Sequence, residues 1–136
     1  SYLYSVLIRE ATTTLWATGL DPFLGFLHQP RYGRPALALD LVEEFRPLIA
    51  DSVALSLFNT GALKPEHFIS RAGAITLTKA GKRAVLGGWE HRMGTEVTHP
   101  IFKYKMSYRR VLMVQARLVG RVLLGEFTKY PAFTTR

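Results

Sequence analysis

The constraint that most limits how this chain can fold is the segment from Pro35 to Asn59. Taking Pro35 as the first helical position and advancing ~100° per residue, Asp40, Glu43, Glu44, Pro47 and Asp51 fall within one narrow arc. Leu37, Leu41, Phe45, Leu48, Ile49 and Leu55 point away from it. Such a segment must be a helix with one face in a core and one face outside. Four of the ten acidic residues lie on that outer face of a chain whose net charge is +8. Like charges at i,i+3 and i,i+4 repel, so a neutralising partner is expected there, and a divalent metal is the economical one. Pro47 has no N–H for the carbonyl of Glu43, four residues back. The helix is therefore expected to bend or loosen around 43–47.

The rest of the chain reads as helices separated by Gly and Pro. Residues 1–18 have apolar helical spacing (Leu3, Leu7, Ile8, Leu15) and a closing Gly19. Residues 21–35 are too rich in Gly and Pro for a long element. A stop near Gly61 ends the second helix. Ile75-Thr-Leu77 reads as a short strand, and Thr78 as the N-cap of a helix over 79–93. Pro100 breaks the next link. A last helix runs from about Ser107 to Glu126, with an extended Lys129–Arg136 tail. The expected class is mainly α, a single helical domain over 1–136 with at most a short strand near 75–77.

Length and composition narrow the function. With 136 residues, 48% of them hydrophobic, the chain can build a core. Its basicity points to a polyanion, with nucleic acid ahead of a membrane surface. The absence of cysteine excludes disulfides and thiolate zinc sites and fits a reducing cytosol. No apolar run approaches the roughly 20 residues of a membrane span. Ser1 stands where an initiator methionine would, and helical spacing begins almost at once. The chain is therefore expected to be a fragment or one processed domain of a longer protein.

Two constellations carry chemistry. His28, on a Gly/Pro-rich turn, precedes the carboxylate face by 15 residues, counted to Glu43. Imidazole nitrogen with carboxylate oxygens suits manganese or magnesium better than a soft metal, and such ions activate water or a hydroxyl at a phosphodiester. A solvated acidic face is the bland alternative, and spacing alone leaves both open. On the last helix, Arg110, Arg117 and Arg121 (i, i+7, i+11) share one edge, with Lys103, Lys105 and Arg109 at its start. Such a row offers phosphate contacts of sequence-independent affinity; single lysines here read equally well as solubilising charge. His67, His91 and His99 have no metal-ligand spacing with a partner and read as structural.

The block Gly19-Leu-Asp-Pro-Phe-Leu-Gly-Phe-Leu-His28, the Arg-x-Gly-Arg-Pro loop at 31–35 and Leu39-Asp-Leu-Val-Glu-Glu-Phe-Arg-Pro47 resemble the C-terminal helical domain of the CRISPR adaptation integrase, Cas protein one. The resemblance continues through Ile75-Thr-Leu-Thr-Lys-Ala-Gly-Lys82 and Ser107-Tyr-Arg-Arg…Gln115-Ala-Arg117. It implies a prokaryotic, cytoplasmic protein of antiviral spacer acquisition. The implied chemistry joins the 3′-hydroxyl of a captured protospacer to repeat DNA; water in its place gives endonuclease behaviour.

The same resemblance assigns residues and partners. His28 and Glu43 match the family's metal ligands for Mn2+ or Mg2+, Asp40 the acidic residue one turn before, and Arg46 a basic residue near the site. The family's first ligand, a Glu, and its N-terminal β domain lie upstream of what this chain contains. The implied partners are DNA, a second copy, Cas protein two and, from the flavour of the 28–35 loop, Cas protein four. The competing expectation is a non-catalytic DNA-binding or scaffold domain whose acidic face docks a basic partner.

Overall fold

The computed structural model describes residues 2–20, 36–126 and 129–133. The first helix, α1 (Tyr2–Ala17), buries Leu7, Ala11 and Leu15, which recur every four residues and so form one stripe. Gly19 ends it at φ +85°, with Gly19 N–H bonded to Trp16 O (3.0 Å) and Leu20 N–H to Leu15 O (2.9 Å). That is the paired closure a left-handed glycine makes possible. The Gly/Pro-rich turn at 21–35, with His28, lies outside the described residues.

The second helix is less uniform than its apolar pattern predicts. It consists of α2 (Ala36–Phe45), a π-helical segment (Arg46–Asp51) and α3 (Ser52–Asn59). Pro47 lies inside the π segment. The loosening expected at the proline is therefore present, as one wide i→i+5 stretch just beyond Glu43. An added residue in the turn shifts everything after it by about 100°. Asp51, the last residue of that segment, lines a hollow with Tyr4 and Arg46. Arg92 braces the segment: its Nε donates to Leu48 O (2.9 Å), and its guanidinium lies 4.5 Å from the Tyr108 ring centroid.

The chain then forms a hairpin, β1 (Phe68–Arg71) against β2 (Ala74–Leu77), antiparallel with Ser70 opposite Ile75. Its two-residue turn, Ala72-Gly73, has positive φ at both positions (49° and 81°), as the tightest hairpin turns require. The strand expected at 75–77 is β2. Helix α4 (Lys79–Gly94) starts at Thr78, whose Oγ1 accepts from Gly81 N–H (3.1 Å). A second ribbon, β3 (Glu96–Thr98) with β4 (Lys105–Ser107), follows, in addition to the one short strand expected at 75–77. Ser107 caps α5 (Tyr108–Leu123) by accepting from Arg110 N–H (3.2 Å).

The helices close around one apolar cluster in which Leu7, Phe45, Ile49, Trp89, Met93 and Leu112 are fully or almost fully buried. The mainly α class is the observed one. Residues 129–133 have no regular structure, yet Phe133 is buried and stacks on Phe45 (5.9 Å between centroids). Among the described residues, no helix is long and apolar enough to cross a membrane.

Candidate functional site

On α2 the three neighbouring acids separate. Asp40 is half-buried and Glu43 exposed. They are three residues apart and so share one face of the helix. Glu44 lies about 100° round the axis from Glu43 and about 40° from Asp40 on its other side, and its carboxylate is engaged by the neighbouring elements. Its Oε1 accepts from Gln115 Nε2 (3.0 Å) and from the backbone N–H of Phe133. Its Oε2 accepts from the Tyr130 hydroxyl. Burial pushes the Glu44 carboxyl above its ordinary range, against the opposing effect of the hydrogen bonds from Tyr130, Phe133 and Gln115. Burial and the neighbouring Glu44 carboxylate push the Tyr130 phenol up as well.

Gln115 is the hub of this arrangement. It is fully buried on α5. Its Nε2 also lies 2.8 Å from the Tyr130 hydroxyl and 3.1 Å from Pro131 O, so two N–H bonds are shared among three acceptors. Its Oε1 faces His99 Nε2 at 2.9 Å. The His99 Nδ1 accepts from the N–H groups of Ile101 (3.1 Å) and Phe102 (3.4 Å). A backbone N–H only donates, so the imidazole proton sits on Nε2 and is given to Gln115. His99 is structural, in line with its spacing. Sequence reasoning grouped Glu44 with the outward acids and gave Gln115 no role. The available signal was a polar residue in the buried stripe Val111–Leu112–Ala116–Val119.

Of the expected four-acid stripe, Glu44 is taken up by the Gln115–Tyr130 network and Asp51 lines the hollow beside Tyr4 and Arg46, which leaves Asp40 and Glu43 as the candidate cation face. No group of three His, Asp or Glu able to hold a metal forms among the described residues; His28, the expected imidazole, lies outside them. Hard carboxylate oxygens one helical turn apart remain suited to a divalent cation of the manganese or magnesium kind. The Arg46 guanidinium lies 5.1 Å from the Tyr4 ring centroid, on the α1 side of the same helix.

The basic row is on the surface. Arg110, Arg117 and Arg121 are all exposed along α5, and so are Lys103 and Lys105 ahead of it. They differ in commitment: Arg121 is paired with Glu126 (2.9 Å). Arg109 is bonded to both oxygens of Glu90 (3.2 and 3.1 Å) and lies 3.5 Å from Glu10, which makes it a brace between helices.

This combination has relatives. A family model described as "CRISPR associated protein Cas1" matches residues 1–91. The whole chain is 55% identical to part of a CRISPR-associated exonuclease Cas4/endonuclease Cas1 fusion from Geobacter sulfurreducens, covering 24% of that protein. It is 43% identical to a CRISPR-associated endonuclease Cas1 from Thermus thermophilus, covering 41% of it. The chain therefore spans about a quarter to two-fifths of these relatives. Among solved structures, a casposase bound to integration product superposes with a TM-score of 0.85 at 26% identity, over 94% of this chain and 37% of that one.

Proposed function

From the premise that the chain belongs to the Cas1 family of CRISPR-associated proteins, we propose that it is the catalytic helical domain of a spacer-acquisition integrase, one that joins DNA 3′-hydroxyl ends to repeat DNA and cuts when water takes the hydroxyl's place. The observation that carries this reading is the Asp40–Glu43 pair, held on one face of α2 in a protein that is otherwise strongly basic.

The chemistry divides between the two surfaces. His28 and Glu43, with Asp40 one turn before, would hold Mn2+ or Mg2+, which would supply charge neutralisation at the phosphate and orientation of the attacking oxygen. Arg46 adds a positive charge beside that face. Arg110 and Arg117, exposed on α5, fit phosphates of the bound duplex, as do Lys103 and Lys105; Arg121 would first have to leave Glu126. The proposed partners are DNA, a second copy of the protein and Cas2. Cas4 joins them on the strength of the fused relative, in a prokaryotic cytoplasm.

The test is strand transfer by the full-length protein with its Cas2 partner, using a labelled protospacer, a repeat-bearing plasmid and manganese. His28→Ala and Glu43→Ala are expected to abolish the joined product while DNA binding persists. Wild-type yields from either variant would remove the metal-site assignment. DNA binding with no manganese-dependent product from any form would leave the docking-face alternative.

A further inference from the structure

Glu43 and Glu44 are adjacent, so whatever fixes the direction of one fixes the other about 100° away. The apolar contacts of α2, through Leu41, Val42 and Phe45, drive burial without selecting a rotation closely, because that attraction is non-directional. Helical continuity is also weakened as a constraint, since the regular hydrogen-bond ladder toward α3 is interrupted by the π segment and Pro47. The hydrogen bonds on Glu44 from Gln115, Tyr130 and Phe133 are directional and fix which way that side of α2 faces.

Those bonds are specified from outside α2. His99, whose tautomer is fixed by two backbone donors in the β3–β4 loop, presents Nε2–H to Gln115 Oε1. The amide must then face Glu44 with its NH2 end, and does so at 3.0 Å. Tyr130 and Phe133 complete the carboxylate's partners from the far end of the chain. No buried polar side-chain atom among the described residues lacks a partner. A network so fully satisfied holds one geometry, because rotating any member orphans another.

We propose that Gln115 is a positioning residue for the reaction: by gripping Glu44 it sets the rotation of α2, and so the direction in which Asp40 and Glu43 are presented. Glu44 on this view is an anchor and binds no metal. The proposal rests on the reading of Asp40 and Glu43 as the cation-binding face.

The experiment measures Mn2+ binding to the full-length protein by calorimetry without DNA, alongside thermal unfolding. Gln115→Leu keeps similar bulk and removes every bond of the hub. Its expected result is a ~10–100-fold loss of Mn2+ affinity, the usual range for a group that orients a ligand, with strand transfer partly recovered in excess Mn2+. Glu44→Gln retains an acceptor for Gln115 and Phe133 but takes away the acceptor of the Tyr130 hydroxyl proton, so it is expected to lose less affinity than Gln115→Leu. Tyr130→Phe, which deletes one hydroxyl and leaves the core filled, is expected to fall between them and decides the matter if Gln115→Leu does not fold.

A lower melting temperature with unchanged Mn2+ affinity in Gln115→Leu, or unchanged affinity in Tyr130→Phe, would overturn the proposal. So would a loss in Glu44→Gln as complete as in Glu43→Ala, since Glu44 would then itself be a ligand. Unchanged Mn2+ binding in Glu43→Ala would instead strike the reading of the face, separately from the role of Gln115.

Discussion

Gly81 and Gly87 sit on the same helix with opposite surroundings. A Cβ on Gly81 would lie 2.8 Å from His67 O and 3.0 Å from His67 Cβ. The oxygen is backbone and already accepts from Thr78 N–H (2.8 Å), so it has little room to retreat. At Gly87 nothing lies within 4 Å of that position. Gly81→Ala is therefore expected to destabilise by about 1–3 kcal/mol through overpacking, while Gly87→Ala stabilises by about 0.5–1 kcal/mol through helix propensity. Urea denaturation of the two variants checks both signs. The same dependence on distant surroundings separates Glu43 from Glu44. Residue type and helical arc made them equivalent in sequence. The difference is a glutamine 71 residues further on, which no local pattern contains.

Elements with their own punctuation were legible. Thr78 and Ser107 cap α4 and α5, and Gly19, at positive φ, closes α1; α5 stops at Leu123, short of the expected Glu126, with Gly125 at positive φ just beyond it. The β1 strand was harder to see because its turn is Ala-Gly, and Ala72 at φ 49° is a weak hairpin signal beside Asn or Asp. The β3–β4 ribbon has three residues a side, with Val97 and Met106 as its inward pair, too short for alternation to register. Helix α5 was legible in its charge as well as its start, and it carries a prediction. Arg110 and Arg117 are exposed and make no ion pair among the described residues, whereas Arg121 holds Glu126. In DNA-binding titrations across salt concentrations, Arg110→Ala and Arg117→Ala are expected each to lower the slope of log K against log salt by about one. Arg121→Ala should lower it by less. Unchanged slopes for Arg110 and Arg117 would assign the row to solubility.

For the whole molecule, the decisive piece is the short segment at 129–133, which reads as a tail and behaves as a strap. The Phe133 ring stacks on Phe45 of α2, meets Tyr108 of α5 edge-on (6.4 Å) and meets His99 of the β3–β4 loop (5.5 Å). Its backbone N–H and the Tyr130 hydroxyl close the Glu44 network. Three elements that are distant in sequence therefore share one aromatic plug. Phe133→Ala is expected to cost about 3–5 kcal/mol, the range for emptying a buried aromatic site, and Phe45→Ala a similar amount. The two rings touch, so their losses should not add. The double variant is expected to fall short of the sum by about 0.5–3 kcal/mol in equilibrium unfolding. Losses that add to within about 0.5 kcal/mol would mean that the segment docks independently of α2. Coupling of the expected size would make closure of the core and orientation of the α2 acids one event, completed only when residues 129–133 are in place.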